Sequence, residues 1–116
     1  MAARVCAGCS AQRGQFVEQF AYVINLTRPE AWSDPNEFEA GKVREHFAYL
    51  QGYLSAGRLI LAGRVMTPGG FGIIVFEAED EAAAQRQMEA DPAVAAGVMR
   101  AELHPFRVAL LRGETG

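Results

Sequence analysis

The stretch "FGIIVFEA", residues 71–78, constrains the fold more than any other part of the chain. Ile73, Ile74, Val75 and Phe76 follow one another without a polar break. Successive side chains of a strand point to opposite faces, so this strand needs apolar cover on both sides. Its neighbours read as a short series of further elements. "FVEQFAYVINL" puts Phe20, Tyr22, Ile24 and Leu26 on one face with a period of two, and Ala21 and Val23 leave the other face apolar as well. Ser33 or Asp34 is read as an N-cap, with Pro35 at the first helical position and Glu37 in the first turn. The spacing then predicts a helix to about Ala56, stopped by Gly57. Val43, Phe47, Leu50 and Leu54 form its expected buried stripe. "RLILAGRV" reads as a second strand and "TPGG" as a turn. Asp80 starts a second helix that ends at Ala90. After a short element over residues 91–97, "MRAELHPFRVALLR" is expected to be one long last strand, with Pro105 marking an edge position or a bulge.

The order β-α-β-β-α-β predicts an α+β, ferredoxin-like fold: a four-stranded antiparallel sheet with both helices on one face, as right-handed crossovers require. Two helices cover only one side of the sheet. The simplest cover for the other apolar side is a second copy, which predicts a homodimer through the sheet faces. With 116 residues the chain is one domain by size. It divides into a leader over residues 1–15, the α+β domain over 16–112 and a tail over 113–116.

Charge and composition narrow the function classes. The net charge is −3 and the 11 Lys and Arg residues are scattered, so no footprint for nucleic acid is present. No stretch approaches the roughly 20 apolar residues of a membrane span. The N-terminus has no continuous apolar core of a signal peptide, so the expected location is cytoplasmic. Cys6 and Cys9 form "CAGC", a spacing found in half zinc sites and redox dithiols. No second Cys/His pair follows and no strand precedes it, so the pair is read as incidental, with metal or disulfide chemistry shared between subunits as the alternative; no cofactor is expected, and no metal at His46 or His104, which lack ligand spacing with each other and with the cysteines. "TPGGFG" lacks a following Lys and helix start, and is a hairpin turn rather than a phosphate loop.

Two residues stand out chemically. His46 is expected on the flank of the helical stripe, where a neighbour can tune an imidazole whose ordinary pKa is about 6.5. Asp91, followed by Pro92, reads locally as an N-cap. A carboxylate that caps a turn with one oxygen can still orient an imidazole with the other. Tyr49 and Tyr53 follow His46 on its flank, and with Trp32 they offer either a flat apolar wall or plain packing. The direction of His104, just before Pro105, is left open by the pattern.

"HFAYLQGYLSAGRLILAGRV" and "ADPAVAAGVMRAELHPFRV" together resemble the YCII-related (YciI-like) proteins, and the resemblance spans about residues 16–111. It implies a dimeric α/β-barrel, two ferredoxin-like units joined through their sheets. It also implies a His–Asp pair in the active site, at the positions of His46 and Asp91. The family is similar in fold to muconolactone isomerase and includes dehydrochlorinases of aromatic degradation. General acid–base chemistry of the isomerase or lyase type on a small aromatic or carbonyl compound is therefore the expected activity. The alternative is a non-catalytic ligand-binding or accessory dimer. Where the family often has Pro after its "LLAG", this chain has Arg64, which is expected either to bind a substrate carboxylate or phenolate or to lie in solvent.

Overall fold

The structure, a computed structural model, describes residues 18–113. Its strands are β1 (Glu18–Leu26), β2 (Leu59–Arg64), β3 (Gly72–Ala78) and β4 (Met99–Pro105). The helices are α1 (Glu37–Ser55), α2 (Glu81–Glu89) and the short α3 (Pro92–Ala95), and a single 3₁₀ turn covers Pro29–Trp32. The sheet runs β2-β3-β1-β4, antiparallel throughout, which is the ferredoxin-like order expected from the element sequence. No described helix is long and apolar enough to cross a membrane.

Local chemistry sets the helix ends. Asn36, not Ser33 or Asp34, caps α1: its side chain accepts from the Glu39 N–H at 2.8 Å, while the Glu39 carboxylate accepts from the Asn36 N–H at 2.9 Å. This reciprocal capping box begins the helix three residues after Asp34. Glu39 also receives a forked pair of bonds from Arg28, at 2.9 and 2.7 Å, which ties the chain after β1 to the first turn of α1. The Arg28 guanidinium first, and the Asn36 N–H second, hold the Glu39 carboxyl down at about 2. At the other end Gly57 takes φ +77°, a left-handed conformation that glycine adopts without a Cβ clash.

The pleat separates the sheet into two faces. Phe20, Tyr22, Ile24 and Leu26 from β1 meet Ile74, Phe76 and Ala78 from β3 and Met99 from β4 in one core, against Leu50 of α1, Ala83, Ala84 and Met88 of α2 and Ala93 of α3. Both long helices thus pack on the same face. Phe76 is fully buried, with the Tyr22 ring edge-on to it at 5.6 Å.

The buried side of α1 differs from the expected stripe. Leu50 and Val43 do face the core, but Phe47 and Leu54 are 61% and 59% exposed. The inward line is instead Glu39, Val43, His46, Leu50 and Tyr53, spaced four, three, four and three residues apart. The helix is rotated because two of its polar side chains find partners inside: Glu39 in Arg28 and His46 in Asp91. Satisfied polar groups can be buried, and here they take places that hydrophobicity alone would assign to Phe47 and Leu54.

On the opposite face Ala21 and Val75 are buried, Val23 and Ile73 half-buried, and Leu61 exposed. β4 is an edge strand and ends at Pro105, earlier than the long strand expected. Proline has no N–H to continue a ladder. The segment that follows crosses beneath the sheet: Val108 N–H donates to the Gln19 side chain at 2.7 Å, and residues 106–111 line a cleft with Leu61, Ile73 and Val75. The chain itself therefore supplies part of the cover that β3 demands.

The rotation of α1 makes a direct prediction. Leu50→Ala is expected to cost about 2–5 kcal/mol in urea denaturation, and Phe47→Ala less than about 0.5 kcal/mol. The reverse order would mean that the other side of the helix faces the core.

Candidate active site

The chain leaves α2 at Ala90 and turns at once into α3, with Asp91 as the N-cap and Pro92 following. Asp91 has no solvent exposure. A buried carboxylate is costly unless donors surround it, and this one has three. Its Oδ1 accepts from the Ala93 N–H at 3.1 Å. Its Oδ2 accepts from the Tyr22 hydroxyl at 2.7 Å and from His46 Nδ1 at 2.6 Å. One carboxylate thus joins a central strand, the long helix and the α3 turn. The cap and the His–Asp contact coexist on Asp91, the cap on Oδ1 and the imidazole on Oδ2.

Proton positions follow from the network. Burial, and then the charge of Asp91, push the Tyr22 phenol far above its ordinary range, so it remains a donor. His46 donates from Nδ1, which leaves Nε2 as the lone-pair nitrogen of the neutral ring. Among the described residues Nε2 has no protein partner. His46 is 8% exposed. A ring held in one tautomer by a buried carboxylate, with its second nitrogen reachable, can accept a proton from a small molecule and return it.

Tyr49 and Tyr53 lie beside this pair with their hydroxyls already engaged. The Tyr49 hydroxyl donates to the Gln87 carbonyl at 2.7 Å, so the 3.2 Å contact with Tyr53 uses the Tyr53 proton. Burial raises both phenols, and the charge of Asp91 adds to the rise. Their rings are 5.0 Å apart, and Tyr53 packs on Phe76. They tie α1 to α2 and form a wall.

Arg64 ends β2 with its guanidinium 4.4 Å from the centre of the Trp32 ring. His104 is on the opposite face of the sheet from His46, half-exposed and 3.4 Å from Glu102, and does not join the site. No three His, Cys, Asp or Glu side chains gather as a metal-binding group among the described residues. Cys6 and Cys9 lie outside those residues.

Tyr22 is the member of the cluster that the pattern assigns only to the core. Its signal is the hydroxyl: a tyrosine at an inward strand position among Phe20, Ile24 and Leu26 must hydrogen-bond to something buried.

A family model described as the YCII-related domain matches residues 21–107. No curated protein matches the chain. Among solved structures, the 5-chloro-2-hydroxyhydroquinone dehydrochlorinase of Burkholderia phenoliruptrix, in complex with 2,5-dihydroxybenzoquinone, superposes with a TM-score of 0.59. The two are 15% identical, over 78% of this chain and 95% of that one. A cofactor-independent oxygenase from Streptomyces nogalater gives a TM-score of 0.45 at 10% identity, over 85% of this chain and 99% of that one. At 15% identity the likeness to the dehydrochlorinase is one of fold.

Tyr22→Phe keeps the ring and removes one donor to Asp91. It is expected to lower the unfolding free energy by about 1–3 kcal/mol, the range for a buried acceptor that loses a partner. A change within the error of chemical denaturation would mean that the hydroxyl does not support the carboxylate.

Proposed function

The chain belongs to the YCII-related domain family, and from that premise we propose that it is a small-molecule enzyme in which His46 and Asp91 perform general acid–base chemistry. The observation that carries the reading is the 2.6 Å contact between His46 Nδ1 and a fully buried Asp91 whose other donors hold it in place, with Nε2 left open. In the proposed reaction Nε2 takes a proton from an activated carbon or hydroxyl of the substrate. The electron pair left behind forms a new π bond. In an elimination a halide departs with it, for net loss of HX; in an isomerisation the imidazolium returns the proton at another carbon. Asp91 holds the tautomer and lies beside the ring while it carries positive charge. Only protons and a leaving group move, so the step needs no electron acceptor.

The dehydrochlorinase with the same fold makes halogenated hydroxyaromatics a sensible first class of substrate. 5-Chloro-2-hydroxyhydroquinone and a set of halogenated or enolisable phenolic compounds would be incubated with the protein in deuterated buffer. Halide release and deuterium incorporation are the readouts. The wild-type chain is expected to catalyse one or both. His46→Gln is expected to be slower by about 10²–10⁴-fold, the usual share of a positioned base, with the fold retained by circular dichroism. Equal rates for the two proteins would sink the assignment.

The working unit in this reading is a homodimer through the outer sheet face. What supports it is the apolar character of that face and the exposure of Leu61, Phe106 and Leu110, at 45%, 46% and 94%, along it. Light scattering is expected to give twice the chain mass. The double variant Leu61→Glu, Leu110→Glu is expected to shift the protein to monomer, since it buries charge in a facing apolar surface. A wild-type protein that stays monomeric at micromolar concentration would overturn the dimer.

A further inference from the structure

The 3₁₀ turn Pro29–Trp32 and the β2–β3 turn enclose a cleft of about 480 Å³, lined by Pro29, Glu30, Trp32, Arg64, Met66 and Pro68 among others. Trp32 packs against the core, and its indole N–H donates to the Gly70 carbonyl at 3.2 Å, so the ring is held at both ends. The Arg64 guanidinium lies over that ring. Among the described residues it has no carboxylate partner: Glu30, the acid in the cleft, is 3.9 Å from Arg28 instead. A guanidinium stacked on an aromatic face loses little further freedom when it binds, and it keeps its planar row of N–H donors available. Such a row matches a carboxylate bidentately. The remaining walls, Met66, Pro29 and Pro68, are apolar and suit a flat ring.

Register connects the cleft to the acid–base pair. Arg64 is opposite Gly72, and Gly72 is opposite Ile24, so all three share the face that carries Tyr22 and the helices. Arg64 is two strands across and two residues along from Tyr22. With strands about 4.8 Å apart and a rise of about 3.4 Å per residue, the Cα separation is roughly 12 Å. Ala62, level with Tyr22, and Arg64 are both exposed, so the helices leave this part of β2 uncovered. A small aromatic acid bound at Arg64 would extend along this uncovered strip.

We propose that the Trp32–Arg64 cleft is an organic-anion site, in which Arg64, held over Trp32, takes the carboxylate of a small aromatic acid while Met66, Pro29 and Pro68 flank its ring. The inference deepens the acid–base reading by naming the group that anchors the substrate, and its binding test does not depend on turnover. Trp32 is the sole tryptophan of the chain, so its fluorescence reports on this cleft alone. Titration with sodium benzoate at constant ionic strength is expected to quench it saturably, and sodium chloride is expected to have no such effect. Arg64→Gln is expected to weaken benzoate binding about 10–100-fold, and Arg64→Lys to fall between, because an ammonium lacks the planar fork. Absence of a saturable quench, a quench reproduced by chloride, or equal affinity in Arg64→Gln would each overturn the proposal. Benzoate binding that depends on Arg64, in a protein whose His46 proves idle, would uphold the anion site and remove only the acid–base assignment.

Discussion

The structure depends on one buried carboxylate. Asp91 is closed off from water, and a negative charge there is tolerable only because three donors from three elements converge on it. Each donor fixes the element that bears it. Tyr22 sets the level of β1 beneath the helices, the Ala93 N–H starts α3, and His46 sets the rotation of α1. Removing any donor leaves an acceptor in the core with less than its share of bonds, and the penalty for that exceeds the net gain from making an average one. The same requirement makes the cluster a defined chemical unit: the donors that stabilise the carboxylate also leave His46 with one tautomer, its Nε2 without a protein partner among the described residues.

The rotation of α1 has consequences beyond the site. With His46 and Glu39 inward, Phe47 and Leu54 are left outside, although both are more hydrophobic. Tyr49 and Tyr53 come to the α2 side and join the two long helices through the Gln87 carbonyl. The inward polar contacts of α1 therefore lie along the seam between helices and sheet, from the Arg28–Glu39 fork at its start to the tyrosine pair near its end. They select one orientation among several that would bury similar apolar area.

Much of the fold is legible in the residues because it follows from local rules. The two-residue period in β1, the unbroken apolar run of β3, Asp80 and Gly57 as helix punctuation and the βαββαβ order all concern near neighbours along the chain. The departures fall where distant groups meet. The α1 cap moves to Asn36 because Glu39 reaches back to it. β4 ends at Pro105, after which the chain turns under the sheet toward Gln19. The stripe that hydrophobicity places on Phe47 and Leu54 loses to a histidine whose partner is 45 residues away.

By itself the sequence determines the order of elements, the two apolar faces of the sheet and the presence of His46 and Asp91 as groups able to pair. It also shows why Asp91 caps a turn, since Asp-Pro at a helix start is a local arrangement. Only the tertiary structure decides that the capping carboxylate has a second oxygen free to meet His46, that Tyr22 completes its shell, and that Arg64 lies over Trp32 with no acid as partner among the described residues. The physical reason is common to all three. Hydrophobic patterning records which residues leave water, whereas the partner of a buried polar group is set by the folding of the chain in space.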